Sequence, residues 1–81
     1  QKLQILSSGS LRQKISKYLL DNCDSSGSIK MKMNREVFAD YLIVARPSLS
    51  RELLRMQDEG LIDVDGKHIK IRDIDALEAE L

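Results

Sequence analysis

The chain has 81 residues, 42% of them apolar and 32% charged, with one cysteine, and its acids and bases cancel to a formal net charge of zero. That length supports one domain with one small core, a lone cysteine excludes an internal disulfide, and no apolar run approaches the 18 or so residues that a membrane span needs. The charge is uneven: residues 28–72 hold nine Lys or Arg against seven acids, while residues 73–81 hold four acids and no base, so a neutral total can hide a basic face.

Residues 1–8 carry Leu3 and Leu6 at helical spacing before Ser7, Ser8 and Gly9. They read as a linker or the end of an upstream dimerisation helix, with the domain proper over 9–81. A start at Gln1 with no basic-then-apolar leader leads us to expect an upstream part. Ser10 is a good N-cap, with Gln13 placed as in a capping box, and Leu11, Ile15, Tyr18 and Leu19 predict a first helix to Asn22. Asp24 to Gly27 is a turn cluster. Ser28 to Met33 alternates, with Ile29, Met31 and Met33 on one face and Lys30 and Lys32 on the other, which predicts a short half-buried strand.

Asn34 can cap a second helix whose stripe is Val37, Phe38, Tyr41 and Leu42, with small Ala39 where a helix crosses closely. It should end near Ile43. Pro47 sits near the start of a third helix with the stripe Leu49, Leu53 and Met56, running to Glu59 and stopping at Gly60. Two short runs around Asp65-Gly66 predict a hairpin with positive φ at both central turn positions. Asp73 caps a final helix built on Ile74, Leu77 and Leu81.

This order of elements predicts an α+β winged helix-turn-helix, a three-helix core with a small antiparallel hairpin as wing. At 100° per residue, Ser48, Arg51 and Arg55 fall within roughly 60° of one another, opposite Leu49, Leu53 and Met56. Arg offers a planar fork of donors to the N7 and O6 acceptors of guanine, and Ser can bond bases or phosphates. An arginine-bearing helix is more often simply a solvated face; the tight turn before it and the hairpin after it favour duplex reading.

The stretch ADYLIVARPSLSRELLRMQDEGLID followed by VDGKHIKI resembles the C-terminal domain of the Crp/Fnr family of bacterial transcription regulators. The likeness covers Leu11 to Leu81 and runs without a gap from Arg46 to Lys67. It implies sequence-specific binding of double-stranded DNA at an inverted-repeat operator, as the output domain of a cytoplasmic homodimer that also meets RNA polymerase. An upstream β-roll sensor and a long dimerisation helix are implied too. By the same likeness Arg46 and Arg51 match the principal DNA-contacting arginines, Ser48 and Ser50 sit among neighbouring contacts, and Lys67 and His68 lie on the wing. Lys30, Lys32 and Asn34 are weaker candidates for flanking phosphates.

Pro47 stands where some members place a base-contacting acid, so specificity should differ from theirs. Two further departures have physical consequences. The family usually has Gly in the turn between the helices, where Ile43 stands here, and a β-branched residue there predicts a strained or reshaped turn. The usual Ser cap is Ala45, which removes an acceptor worth about 1 kcal/mol.

The remaining residues carry no catalytic constellation. His68 has no second histidine, Cys23 reads as a helix-end residue in a reducing compartment, and Met31, Met33 and Met56 read as core. No Ser-His-Asp set, phosphate-binding glycine loop or cysteine pair is present, so we expect no enzyme, metal or cofactor in this chain. The alternative function is a winged helix that serves as a protein-protein interaction module without DNA binding; a domain that has lost DNA affinity through Ile43 is a third reading.

Overall fold

The structure, a computed structural model, describes residues 10–81. The predicted linker at 1–8 lies outside the described residues. Four helices and three strands follow in the order α1 (Leu11–Asn22), β1 (Ser28–Lys30), α2 (Arg35–Leu42), α3 (Arg46–Asp58), β2 (Ile62–Asp65), β3 (His68–Ile71) and α4 (Ile74–Ala79).

Each helix start has a local cause. The Ser10 hydroxyl accepts from the Gln13 amide, Asn34 Oδ1 from that of Val37, and Asp73 from that of Ala76, so a free N–H of each first turn is satisfied. The capping box at α1 is only half formed: the Gln13 side chain turns away and donates to the Leu81 carbonyl at 2.8 Å. It thereby ties α1 to the chain end. Between α1 and β1 the Asp24 carboxylate accepts from the Ser26 hydroxyl and from the amides of Ser26 and Ser28. These bonds, the Ser26 hydroxyl first, hold its pKa below the ordinary range.

Strand β3 lies in the centre of an antiparallel sheet ordered β1-β3-β2. Ile29 faces Ile69, and Ile62 faces Ile71, so one face of the sheet is a row of isoleucines against the helices. The other face carries Ser28, Lys70 and Asp63 in one cross-strand row and Lys30, His68 and Asp65 in the next. β1 is shorter than the alternation suggested. After Lys30 the Met31 amide donates to the Lys67 carbonyl at 2.6 Å, and Met33 is only half buried.

The helices bury Ile15, Leu19, Phe38, Leu49, Leu53, Met56 and Leu77 in one core with the sheet. Two stripes differ from expectation. In α2 the inward residues are Phe38, Ala39 and Leu42, while Val37 and Tyr41 are exposed, because close approach to α3 selects the small Ala39 side. In α4 only Leu77 is buried; Ile74 is exposed, and Leu81, expected in the stripe, lies beyond the helix end at Ala79 and is exposed as well. Tyr18 links α1 to α2 through tilted and edge-on contacts with Phe38 and Tyr41, at 5.0 and 5.5 Å between centroids.

The turn between α2 and α3 positions the rest. Ile43 adopts φ 60°, ψ 51°, and among the described residues no other non-glycine has positive φ. The expected left-handed position is therefore occupied by a β-branched side chain. The backbone of the turn is bonded: the Ile43 amide donates to the Asp40 carbonyl, the Val44 amide to the Ala39 carbonyl, and Lys14 of α1 to the Leu42 carbonyl at 3.1 Å. Ala45 starts α3 without a side-chain cap, and Pro47 sits in its first turn, where no N–H is needed.

Candidate nucleic-acid interface

Helix α3 is seated by Leu49, Leu53 and Met56, all buried, as their spacing predicted. That anchoring determines which side chains project. Arg46 and Arg51 are exposed, and neither enters an ion pair or side-chain hydrogen bond among the described residues. Ser48 and Ser50 are half buried, with Ser50 about 100° around the helix from Arg51 and so on the flank rather than the stripe.

Arg55 shares the exposed side but lies 3.1 Å from Glu52. Glu52 also accepts from Arg12 of α1 at 2.7 Å, and the Arg12 guanidinium makes two further bonds to Glu59, at 2.8 and 2.7 Å. Donating to Glu59 and Glu52 keeps the Arg12 guanidinium firmly protonated, and the bonds it donates hold the Glu59 carboxyl below its ordinary range. Glu80, near the acidic C-terminus, reaches the same guanidinium at 3.8 Å. The acidic tail is thus drawn to the α1 side of α3, while Arg46 and Arg51 stay uncovered.

The wing is the loop Gly66-Lys67 between β2 and β3. Only Gly66 has positive φ, 59°, so the hairpin follows the type II′ pattern with Gly first, and not the expected turn with two such residues. Lys67 is exposed in the loop. His68 is exposed as well, but it sits at the root of the wing, opposite Lys30 and Asp65 on the outer sheet face. Lys30 and Lys32 are exposed nearby, and the Asn34 side-chain oxygen is already engaged as a cap.

Three positioning contacts had no signature in the sequence. Arg35 Nη2 donates to the Gly66 carbonyl at 3.0 Å, and burial lowers the pKa of this guanidinium. Gln57 Oε1 accepts from the Val64 amide at 2.9 Å and so links α3 to β2. Arg12 bridges α1, α3 and α4. Each joins separate elements, and those of Arg35 and Arg12 join residues 31 or more positions apart, which no local spacing can announce. Together they tie the wing to α2 and α3 to β2, and leave Arg46, Arg51 and Lys67 exposed as the candidate basic surface.

No candidate metal-binding group of His, Cys, Asp and Glu occurs among the described residues, and no helix there is long and apolar enough to cross a membrane. The model of the Crp-like helix-turn-helix domain matches residues 13–80. No curated protein sequence matches the chain. Among solved structures, a CRP-family transcriptional regulator from Thermus thermophilus is similar at 31% identity and a TM-score of 0.74, covering 90% of this chain and 40% of that one. DNR from Pseudomonas aeruginosa is similar at 26% identity and TM-score 0.76, over 86% of this chain and 33% of its own. FixK2 from Bradyrhizobium japonicum, at 22% identity, shares the fold with a TM-score of 0.81 over 93% of this chain and 40% of its own. The chain therefore spans about 40% or less of the length of these relatives. With a two-helix unit turned by a left-handed residue, an arginine-bearing helix and a wing matched across 13–80, the chain belongs to the family of Crp-like helix-turn-helix domains, the DNA-binding domains of Crp/Fnr transcription regulators.

Proposed function

We propose that α3 enters the major groove and reads a specific duplex site, with Arg46 and Arg51 directed at guanine edges and Ser48, Ser50 and Arg55 making neighbouring contacts. Lys67 and His68 meet the adjacent phosphate backbone, where they set position rather than sequence. The single observation that carries this reading is the exposure of Arg46, at the start of α3, and of Arg51, opposite its anchored side, with no acidic partner for either among the described residues. A solvated helix would gain from pairing such groups with neighbouring acids, as Arg55 and Arg12 do here.

In this proposal residues 9–81 are the output domain, and residues 1–8 lead in from an upstream dimerisation helix and sensor. Two copies in a cytoplasmic homodimer read inverted half-sites about one helical turn apart, and the bound dimer meets RNA polymerase. Selection of duplexes from a random pool with the full-length dimer should return an inverted repeat whose affinity falls steeply with salt, as phosphate neutralisation requires. A protein-docking role is favoured by a different observation, an open groove of about 960 Å³ beside Tyr18, Tyr41, Ile43 and Leu81. A salt-insensitive association and no selected duplex would support that role and overturn DNA reading.

A further inference from the structure

The outward face of α3 contains one residue that neither the core nor the basic surface explains. Leu54 is 60% exposed and is not among the side chains packed against the core. Scattered surface leucines are ordinary and by themselves mean nothing. The position of this one is specific. Taking 100° per residue, Pro47, Arg51 and Leu54 fall within roughly 60° and point opposite the buried Leu49, Leu53 and Met56. The centre of the projecting face is therefore an apolar ring, a guanidinium and an isobutyl group in succession. Asp58 follows one turn later, and its charge would repel phosphates, so the face suited to a duplex ends at Leu54.

We infer that Leu54 is a specificity-determining residue that reads the 5-methyl group of a thymine in the major groove. This rests on the DNA-reading proposal above and adds a base to it. A leucine can neither donate nor accept, so against a groove edge it discriminates only through apolar contact, and thymine is the one standard base that offers a methyl there. The helix rise puts Leu54 roughly 4.5 Å along the axis from Arg51, and base pairs are spaced by about 3.4 Å. The thymine therefore lies one or two base pairs from the guanine that Arg51 reads.

The test uses the full-length protein and the duplex it selects from a random pool. Each thymine is replaced in turn by deoxyuridine, which removes the methyl and leaves pairing intact. At one thymine per half-site, one or two pairs from the Arg51-dependent guanine, affinity should fall about fourfold, the ratio expected for burial of one carbon. In Leu54→Ala that dependence should vanish while sensitivity at every other position is kept. The exposed side chain makes this variant safe to fold, and its melting temperature should match the parent. Retained methyl dependence in Leu54→Ala, or none in the parent, would overturn the inference and leave DNA reading intact. Failure to select any duplex would overturn DNA reading, and this inference with it.

Discussion

Replacing Ile43 by glycine should stabilise the domain, and the sign of that change tests the whole reading of the turn. The residue sits at φ 60°, ψ 51°, where an L side chain costs about 1–2 kcal/mol, with β-branching toward the upper end. Little is lost with the side chain, since Ile43 is 85% exposed and full burial of an isoleucine is worth only about 1.5–3 kcal/mol. The buried remainder scales to roughly 0.4 kcal/mol at most. Against the gain stands the greater freedom of glycine in the unfolded chain, about 0.5–1 kcal/mol. The balance is a stabilisation of about 0.5 kcal/mol, or roughly 2–4 °C in melting temperature for a domain of this size.

Ile43→Ala is the necessary partner variant. At an ordinary exposed position alanine is more stable than glycine by about 0.5–1 kcal/mol, but at a left-handed position the order inverts because alanine keeps its Cβ. Urea and thermal unfolding followed by circular dichroism should therefore rank glycine above alanine, with equal m-values. Alanine equal to or above glycine would refute the left-handed turn, and with it the placement of α3 on which the basic surface depends. The Lys14 bond to the Leu42 carbonyl should survive both changes, since it involves neither the side chain nor the amide of residue 43.

Other outcomes follow from the same geometry. Arg51→Ala should lose about 1–3 kcal/mol at the selected site and relax preference at one base pair, whereas Lys67→Ala should weaken all sequences alike and lower the salt slope by about one; both are read in salt-controlled titrations. Arg35→Ala removes the donor to the Gly66 carbonyl, so amide exchange at Gly66 and Lys67 should quicken while the core amides around Leu49 and Leu53 keep their protection. The Glu59 carboxyl has a folded pKa below its ordinary 4.5, chiefly through its bond from Arg12, so its contribution is present above 4.5 and is lost as pH falls through the lower folded value. Acid unfolding curves of Arg12→Gln should show a shallower loss over that window than the parent.

The seat of α3 was legible because it is a local matter. Leu49, Leu53 and Met56 repeat at helical spacing on a segment opened by Pro47 and closed by Gly60, and each is buried as that spacing requires. The family likeness added Arg46 and the positive φ expected at Ile43. Stripes read as apolar alone were less secure: in α2 periodicity cannot tell Val37 and Tyr41 from Ala39 as the inward side, because the choice belongs to the helix that packs against it.

Order of elements, caps and the exposed arginine stripe were thus determined by the chain itself, since each depends on residues within a turn or two of one another. The tertiary structure alone decided that Arg12 gathers Glu52, Glu59 and Glu80, that Arg35 grips the wing, and that His68 stands at its root beside Lys30 and Asp65. Those are meetings across up to 68 positions, as between Arg12 and Glu80. They arise only once the hydrophobic faces have docked, and apolar packing carries no label for which charged groups its edges will bring together.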